Sequence, residues 1–297
     1  MSYTIAQASR IGGRQINQDR VAWLATDDAV LMVVADGMGG HLQGEVAAQI
    51  AVDTVIERFR GEATTRLPDP ALFLRASLRQ AHETIVRYAA DCRIPFHAAP
   101  RTTCIACVVQ GGQAIWAHAG DSRLYLIHRH GSGQTRGAHT RDHSVVQQLI
   151  DAGRLSHADA ASHPLRNRVF NCLGGDATPY IEVSKAVPLE DGDLLALCTD
   201  GVWAPLGDAL VSELGRAALT NSVPNLLSAA ERLAGPGADN LTLIAMRWDA
   251  SATAASLRQP TPATQPKAPA APLSDGEVAG AVAELRRSVP HVPNGAA

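Results

Sequence analysis

Lysine is nearly absent from this chain: Lys185 and Lys267 are the only two among 26 basic residues, and the rest are arginine. That bias carries no functional meaning by itself. Net charge of one sign is also scarce. A formal charge of −3 over 297 residues argues against a broad nucleic-acid surface, which needs clustered positive charge. No run approaches the roughly eighteen consecutive apolar residues of a membrane span. The opening Met1-Ser2-Tyr3-Thr4-Ile5-Ala6-Gln7 has no charged-then-apolar leader, so a cytoplasmic location is expected. Recognisable cysteine pairing is missing too. The five cysteines are scattered, and Cys104 and Cys107 lie in a strand-like run where positions three apart face opposite sides. Neither a helix N-terminus nor a second pair accompanies them, so buried structural thiols are expected. The eleven histidines contain no HExxH pattern, and His139 and His143 read as solvated or hydrogen-bonding groups.

What is present is an ordinary globular composition, 46% hydrophobic and 19% charged. Strand-like runs fall at Val21–Ala25, Val30–Ala35, Thr102–Val109, Ala114–His118, Leu124–His128, Asp193–Cys198 and Leu241–Trp248. Helical periodicity appears over Glu45–Phe59 and again through Leu74, Leu78, Ala81, Ile85 and Tyr88. A late helix pair, Asp208–Leu219 and Pro224–Leu233, is expected to break at Asn221-Ser222-Val223-Pro224. Strict strand–helix alternation is absent, so sheets packed on each other with helices outside are expected. Residues 140–180 read as an insertion of short helices and turns that borders a site. Beyond Trp248 the chain becomes rich in Pro and Ala, as a disordered tail does. Within it Ser274-Asp275-Gly276-Glu277 resembles a capping box ahead of Val278, Val282, Leu285 and Val289. A frayed helix over 275–289 and a helix that docks a partner are both open readings.

Five aspartates sit at the ends of apolar runs. Asp36 closes Leu31-Met32-Val33-Val34-Ala35, and Asp121 follows Ala114 to Gly120. Asp200 follows Leu194 to Thr199, Asp239 precedes Asn240 and the last run, and Asp19 stands just before Val21. A carboxylate beside buried strands is costly unless paired or metal-bound. Singly, each reads as a turn residue, a cap or, at Asp121-Ser122-Arg123, a local salt bridge on a hairpin. Together, with glycine after two of them, they point to hard divalent cations held by oxygen.

The strings Arg14-Gln15-Ile16-Asn17-Gln18-Asp19, Val34-Ala35-Asp36-Gly37-Met38-Gly39-Gly40-His41 and Thr102-Thr103 come first. His118-Ala119-Gly120-Asp121-Ser122-Arg123, Thr140-Arg141-Asp142-His143-Ser144 and His163-Pro164-Leu165-Arg166-Asn167 follow, then Cys198-Thr199-Asp200-Gly201 and Asp239-Asn240-Leu241-Thr242. In this order they resemble the metal-dependent protein serine/threonine phosphatases of the type 2C family, in their bacterial form, over about residues 1–248. The resemblance implies an α+β fold: a central β-sandwich of two antiparallel sheets flanked by pairs of α-helices, a four-layer αββα arrangement. It also implies a flap at about 140–180, with residues 249–297 as a tail. Two Mn2+ or Mg2+ ions are implied, with Asp36 bridging them. Asp200 and Asp239 would hold the first, and the Gly37 carbonyl and Asp19 the second. Asp121 would join Asp200 at a weaker third site. Arg14 would clamp the phosphate while a metal-activated water attacks phosphorus in line. The implied partners are phosphorylated proteins and a cognate Ser/Thr kinase.

Three positions depart from the family pattern. Gln18 stands where glutamate is frequent, which predicts weaker binding at the second metal. Met38 replaces a histidine proposed elsewhere as general acid, and Arg101 replaces a common glycine. A non-catalytic relative acting as a regulatory binding module is the alternative reading, disfavoured by the complete carboxylate set. A two-metal nuclease lacks a basic groove.

Overall fold

The structure is a computed structural model that describes residues 1–38, 43–129 and 135–249. The expected tail, its 275–289 helix and the partner suggested for that helix lie outside the described residues, Asp249 excepted, and so does His41. The strands are β1 (Tyr3–Arg10), β2 (Asp19–Ala25), β3 (Ala29–Met38), β4 (Arg101–Thr102), β5 (Cys104–Gln110) and β6 (Gln113–Ala119). They continue with β7 (Arg123–Arg129), β8 (Thr135–His139), β9 (Glu182–Val183), β10 (Val187–Pro188), β11 (Leu194–Cys198) and β12 (Leu241–Trp248). The helices are α1 (Gly44–Glu62), α2 (Pro70–Asp91), α3 (Val145–Asp151), α4 (His157–Ala160), α5 (Asp200–Leu206), α6 (Ala209–Leu214) and α7 (Leu219–Ala234).

One sheet runs β1-β12-β11-β7-β8 and the other β10-β6-β5-β3-β2, with β4 beside β3 and β9 beside β6. The pairings are antiparallel throughout. Strand alternation builds the layers. Along β3, Val30, Met32 and Val34 face the opposite sheet and join Ile105, Leu195, Leu197, Ile244 and Met246. Leu31, Val33 and Ala35 face the other way, onto Ala47, Ala51 and Val55 of α1 and Leu74 and Leu78 of α2. On the far sheet Ala196, Cys198, Leu243 and Ala245 pack under Val202, Leu210, Val223 and Leu227 of α5 to α7. Because β3 is covered on both faces it reads as a continuous apolar run rather than an alternating one. Cys104 and Cys107 fall in different layers, as their spacing requires. Burial holds the Cys104 thiol up at about 12 and pushes Cys107 higher still, which leaves both unreactive.

Several expectations need correction. The late helices do not break at Asn221–Pro224. The α7 helix runs through Pro224, losing one backbone bond, and the Pro224 carbonyl also accepts from Ser228 Oγ (3.0 Å) and Arg10 (3.3 Å). The break falls at Gly215 instead, so the preceding helix is only Ala209–Leu214. Asp200 opens α5, a helix not anticipated, and three helices rather than a pair cover that sheet. The run Thr102–Val109 divides at Thr103 into β4 and β5. Strand β1 escaped notice because its helix-facing positions are Ala6 and Ala8, too small to mark an apolar stripe. Strand β8, Thr-Arg-Gly-Ala-His, carries no apolar signal at all.

Ile105 is fully buried between the sheets. Ile105→Ala is expected to lower unfolding free energy by about 2–4 kcal/mol in urea titration, the usual loss for a buried aliphatic truncation that leaves a cavity.

Candidate metal centre

The β2–β3 register sets Asp19 directly opposite Asp36. Like charges facing across a ladder are destabilising, so this pairing needs a reason outside the fold. Cys198 pairs with Leu243 and with Arg123. Asp200, Asp239 and Asp121 therefore leave the second sheet at one common end. Hydrogen bonds tie that end to the first sheet. The Thr199 hydroxyl donates to Asp19 Oδ2 (2.9 Å), and within the first sheet the Thr103 N–H donates to the Asp36 carbonyl (2.9 Å). The hydroxyls of Thr103 and Ser122 share a bond of 2.7 Å. All five aspartates singled out from sequence meet here.

Their charges oppose one another. Asp19 and Asp121 are buried, while Asp36, Asp200 and Asp239 keep part of their surface open to solvent. Burial raises Asp19 to about 7, with Asp200 and Asp239 adding to the effect and the hydroxyls of Thr242 and Thr199 opposing it. Burial and then the charges of Asp200, Asp19, Asp121 and Asp239 hold Asp36 well above the usual carboxylate range. Asp121 is raised by burial, then by Asp200 and Asp142. Asp200 is raised to about 6 by burial, then by Asp239. Arg14 donates to Asp239 Oδ2 at 2.7 Å, and Arg20 donates to the Asp19 backbone carbonyl at 2.8 Å. Asp19 Oδ1 is buried with no hydrogen-bond partner. Hard oxygen donors, excess negative charge and an unmatched buried oxygen together fit divalent cations.

Gly37 admits no side chain. A Cβ there would lie 2.2 Å from the Gly44 carbonyl oxygen and 2.7 Å from that of Gln18, so α1 can approach the end of β3 only at glycine. Gln18 Nε2 donates to Glu45 Oε2 at 3.3 Å, where a glutamate would meet like charge. Met38 pairs with Arg101 across β3–β4, and the part-buried Arg101 leans toward Gly175.

Sequence reasoning missed the supports. Arg123 does not pair with Asp121. It makes a two-pronged bond to Asp142 (2.8 Å to each oxygen) and stacks 3.5 Å over the Trp203 ring, whose N–H donates to the Asp121 carbonyl at 3.0 Å. This chain joins the first residues of the 140–180 insertion to the aspartate. His118, His143 and Glu182 form a second polar cluster, with ligand atoms within 4.8 Å of one another. Two features speak against a shared ion there. The two rings stack at 4.5 Å and 16°, so their in-plane lone pairs do not converge. His143 Nδ1 accepts from Gly120 N–H (3.2 Å) and Asn171 Nδ2 (2.6 Å), which leaves its proton on Nε2, facing Glu182 at 3.4 Å. No local sequence signal marks either network, because both join residues far apart in the chain.

The model of a family described as Protein phosphatase 2C matches residues 6–235. This chain belongs to the protein phosphatase 2C family. It is a metal-dependent protein serine/threonine phosphatase of the bacterial kind. The serine/threonine phosphatase stp of Listeria monocytogenes is 30% identical over 225 residues, covering 75% of this chain and 86% of that protein. The solved phosphatase PstP of Mycobacterium tuberculosis superposes with a TM-score of 0.71 at 29% identity, over 83% of this chain and 99% of that one. A structure of the PstP catalytic domain in complex with two manganese ions gives 0.68 at 28% identity, over 82% of this chain and 97% of that one.

The raised carboxylates give the metal-free protein a defined pH response. A folded-state pKa above the unfolded value means that folding retains protons, so the stabilising contribution is present at acid pH. It is lost as pH rises through about 6 for Asp200 and about 7 for Asp19. In chelator, Asp19→Asn is expected to flatten the fall in melting temperature between pH 5 and pH 8, and saturating Mn2+ to abolish that fall in the unmodified protein.

Proposed function

We propose that residues 1–248 form the catalytic domain, with 140–180 as its substrate-facing flap, and that it hydrolyses phosphoserine and phosphothreonine at a binuclear Mn2+ or Mg2+ centre. The observation that carries this reading is the convergence of Asp19, Asp36, Asp121, Asp200 and Asp239, with Arg14 bonded to Asp239 at its edge. Asp36, raised by the other four, is the side chain best placed to be shared between two ions. Asp200 and Asp239 would hold the first and Asp19 with the Gly37 carbonyl the second. Asp121, its main chain braced by Trp203, would join Asp200 at a weaker third position. When bound, such cations supply Lewis acidity that makes a water nucleophilic near neutral pH and offsets charge on phosphoryl oxygens.

The chain's own residues do the rest. Arg14, bonded to Asp239 at the exposed lip, presents a planar fork suited to two phosphoryl oxygens. The Thr103 and Thr199 bonds hold Asp36 and Asp19 in place without reorganisation during turnover. Met38 carries no transferable proton, so protonation of the leaving serine or threonine oxygen falls to water or to another group. The enzyme acts in the cytoplasm against a bacterial Ser/Thr kinase, with that kinase and its targets as partners. No helix among the described residues is long and apolar enough to cross a membrane.

Purified protein is expected to release phosphate from p-nitrophenyl phosphate and from a phosphothreonine peptide only with Mn2+ or Mg2+ present. Asp36→Asn and Asp239→Asn should each lower kcat by about 10³-fold or more, given what a misplaced metal-activated water forfeits. Inactivity of the unmodified protein across both metal titrations would refute the reading.

A further inference from the structure

The eight residues between β1 and β2, Ile11 to Gln18, are held far more tightly than a surface loop needs. Asn240, buried and next to Asp239, spends its whole amide on them. Its Nδ2 donates to the carbonyls of Ile11 (2.8 Å) and Ile16 (3.0 Å), and its Oδ1 accepts from Gln18 N–H (2.8 Å). Gly13 N–H donates to the Ala238 carbonyl (2.9 Å), and Asn17 Nδ2 donates to Ser9 Oγ (2.9 Å). Gly12, at φ +61°, lies so close that a Cβ would sit 2.1 Å from the Asp239 carbonyl oxygen. The loop is thus bolted to the backbone that carries Asp239, and Arg14 at its centre reaches the Asp239 carboxylate.

Two isoleucines bracket that arginine, and neither joins a hydrophobic core cluster. Ile11 is 44% exposed and Ile16 is 51% exposed. Their carbonyls are fixed by the same amide, so their side chains are presented at set positions beside Arg14 while the loop gains no core burial from them. Exposed apolar side chains on a rigid support, continuous with a phosphate-binding arginine, favour an apolar occupant. We infer that this loop reads the sequence around the phosphorylated residue: Ile11 and Ile16 receive apolar side chains flanking the phosphoserine or phosphothreonine of a substrate protein, and Asn240 is the positioning residue that keeps them and Arg14 in register. The inference rests on the reading of this centre as the phosphatase site.

The test compares matched phosphothreonine peptides carrying leucine or glutamate on either side of the phosphoresidue, with Mn2+ saturating. The leucine-flanked peptide is expected to show kcat/KM about tenfold higher, mostly through KM, as partial burial of an aliphatic pair provides. The double variant Ile11→Ser, Ile16→Ser should bring that ratio close to one. Asn240→Ala should raise KM for both peptides and blunt the preference, while the Ile11→Ser, Ile16→Ser variant keeps Mn2+ affinity by calorimetry at the unmodified value. Equal kcat/KM for the two peptides in the unmodified enzyme would overturn the inference. So would a preference that survives the double substitution, or a preference for the acidic flank. Failure to hydrolyse either peptide or p-nitrophenyl phosphate would instead bring down the phosphatase reading, and this inference with it.

Discussion

Mutual repulsion among carboxylates at one end of the sandwich is the constraint to which the rest of the molecule answers. Asp19 faces Asp36 across adjacent strands, and Asp121, Asp200 and Asp239 close in from the second sheet. In water each would ionise freely. Packed together, Asp19 holds its proton to about pH 7 and Asp200 to about pH 6, Asp36 and Asp121 are likewise raised, and one buried oxygen stays unmatched. A protein keeps such an arrangement only where a cation relieves it and the remainder of the fold tolerates the strain.

The tolerance comes from the layers. Apolar side chains between the two sheets and beneath both helical covers are buried almost completely, so the sandwich does not rely on its polar end for cohesion. At that end short hydrogen bonds replace apolar packing. Thr103, Ser122, Thr199 and Asn240 hold backbone and carboxylate positions, while Arg123 links Asp142 to Trp203 and so to Asp121. The acidic residues are therefore positioned mainly by neutral donors and by the Arg123–Asp142 pair, with Arg14 offsetting part of the charge at Asp239 and the remainder left for a metal. The same logic explains Gln18, which removes a negative group where Glu45 already supplies one.

Much of this was legible in the linear chain. Apolar runs that end in aspartate reported both the strand and its polar terminus, and helical periodicity placed α1 and α2 within a few residues. The resemblance carried by motifs such as Asp36-Gly37 and Asp239-Asn240 supplied the sandwich and its metal-binding end. The failures have local causes. Pro224 was read as a breaker, yet one lost backbone bond is outweighed by the burial of Val223, Leu226 and Leu227 around it. Strands β1 and β8 were missed because Ala6, Ala8 and the Thr135–His139 segment offer no apolar contrast. Helix α5 was missed because Asp200 was weighed as a ligand and not as the first residue of a helix.

The amino-acid sequence by itself determined which side chains carry charge, which runs must be buried and where each run stops, since these follow from residue type and period. It could not say that Asp19 stands opposite Asp36, or that Arg123 turns from its neighbour Asp121 to Asp142. It could not say that Asn240 gathers Ile11, Ile16 and Gln18 around Arg14. Those contacts span up to 229 positions along the chain. They exist only because strand register and sheet stacking bring the ends of distant strands to one place, and only tertiary structure sets that register.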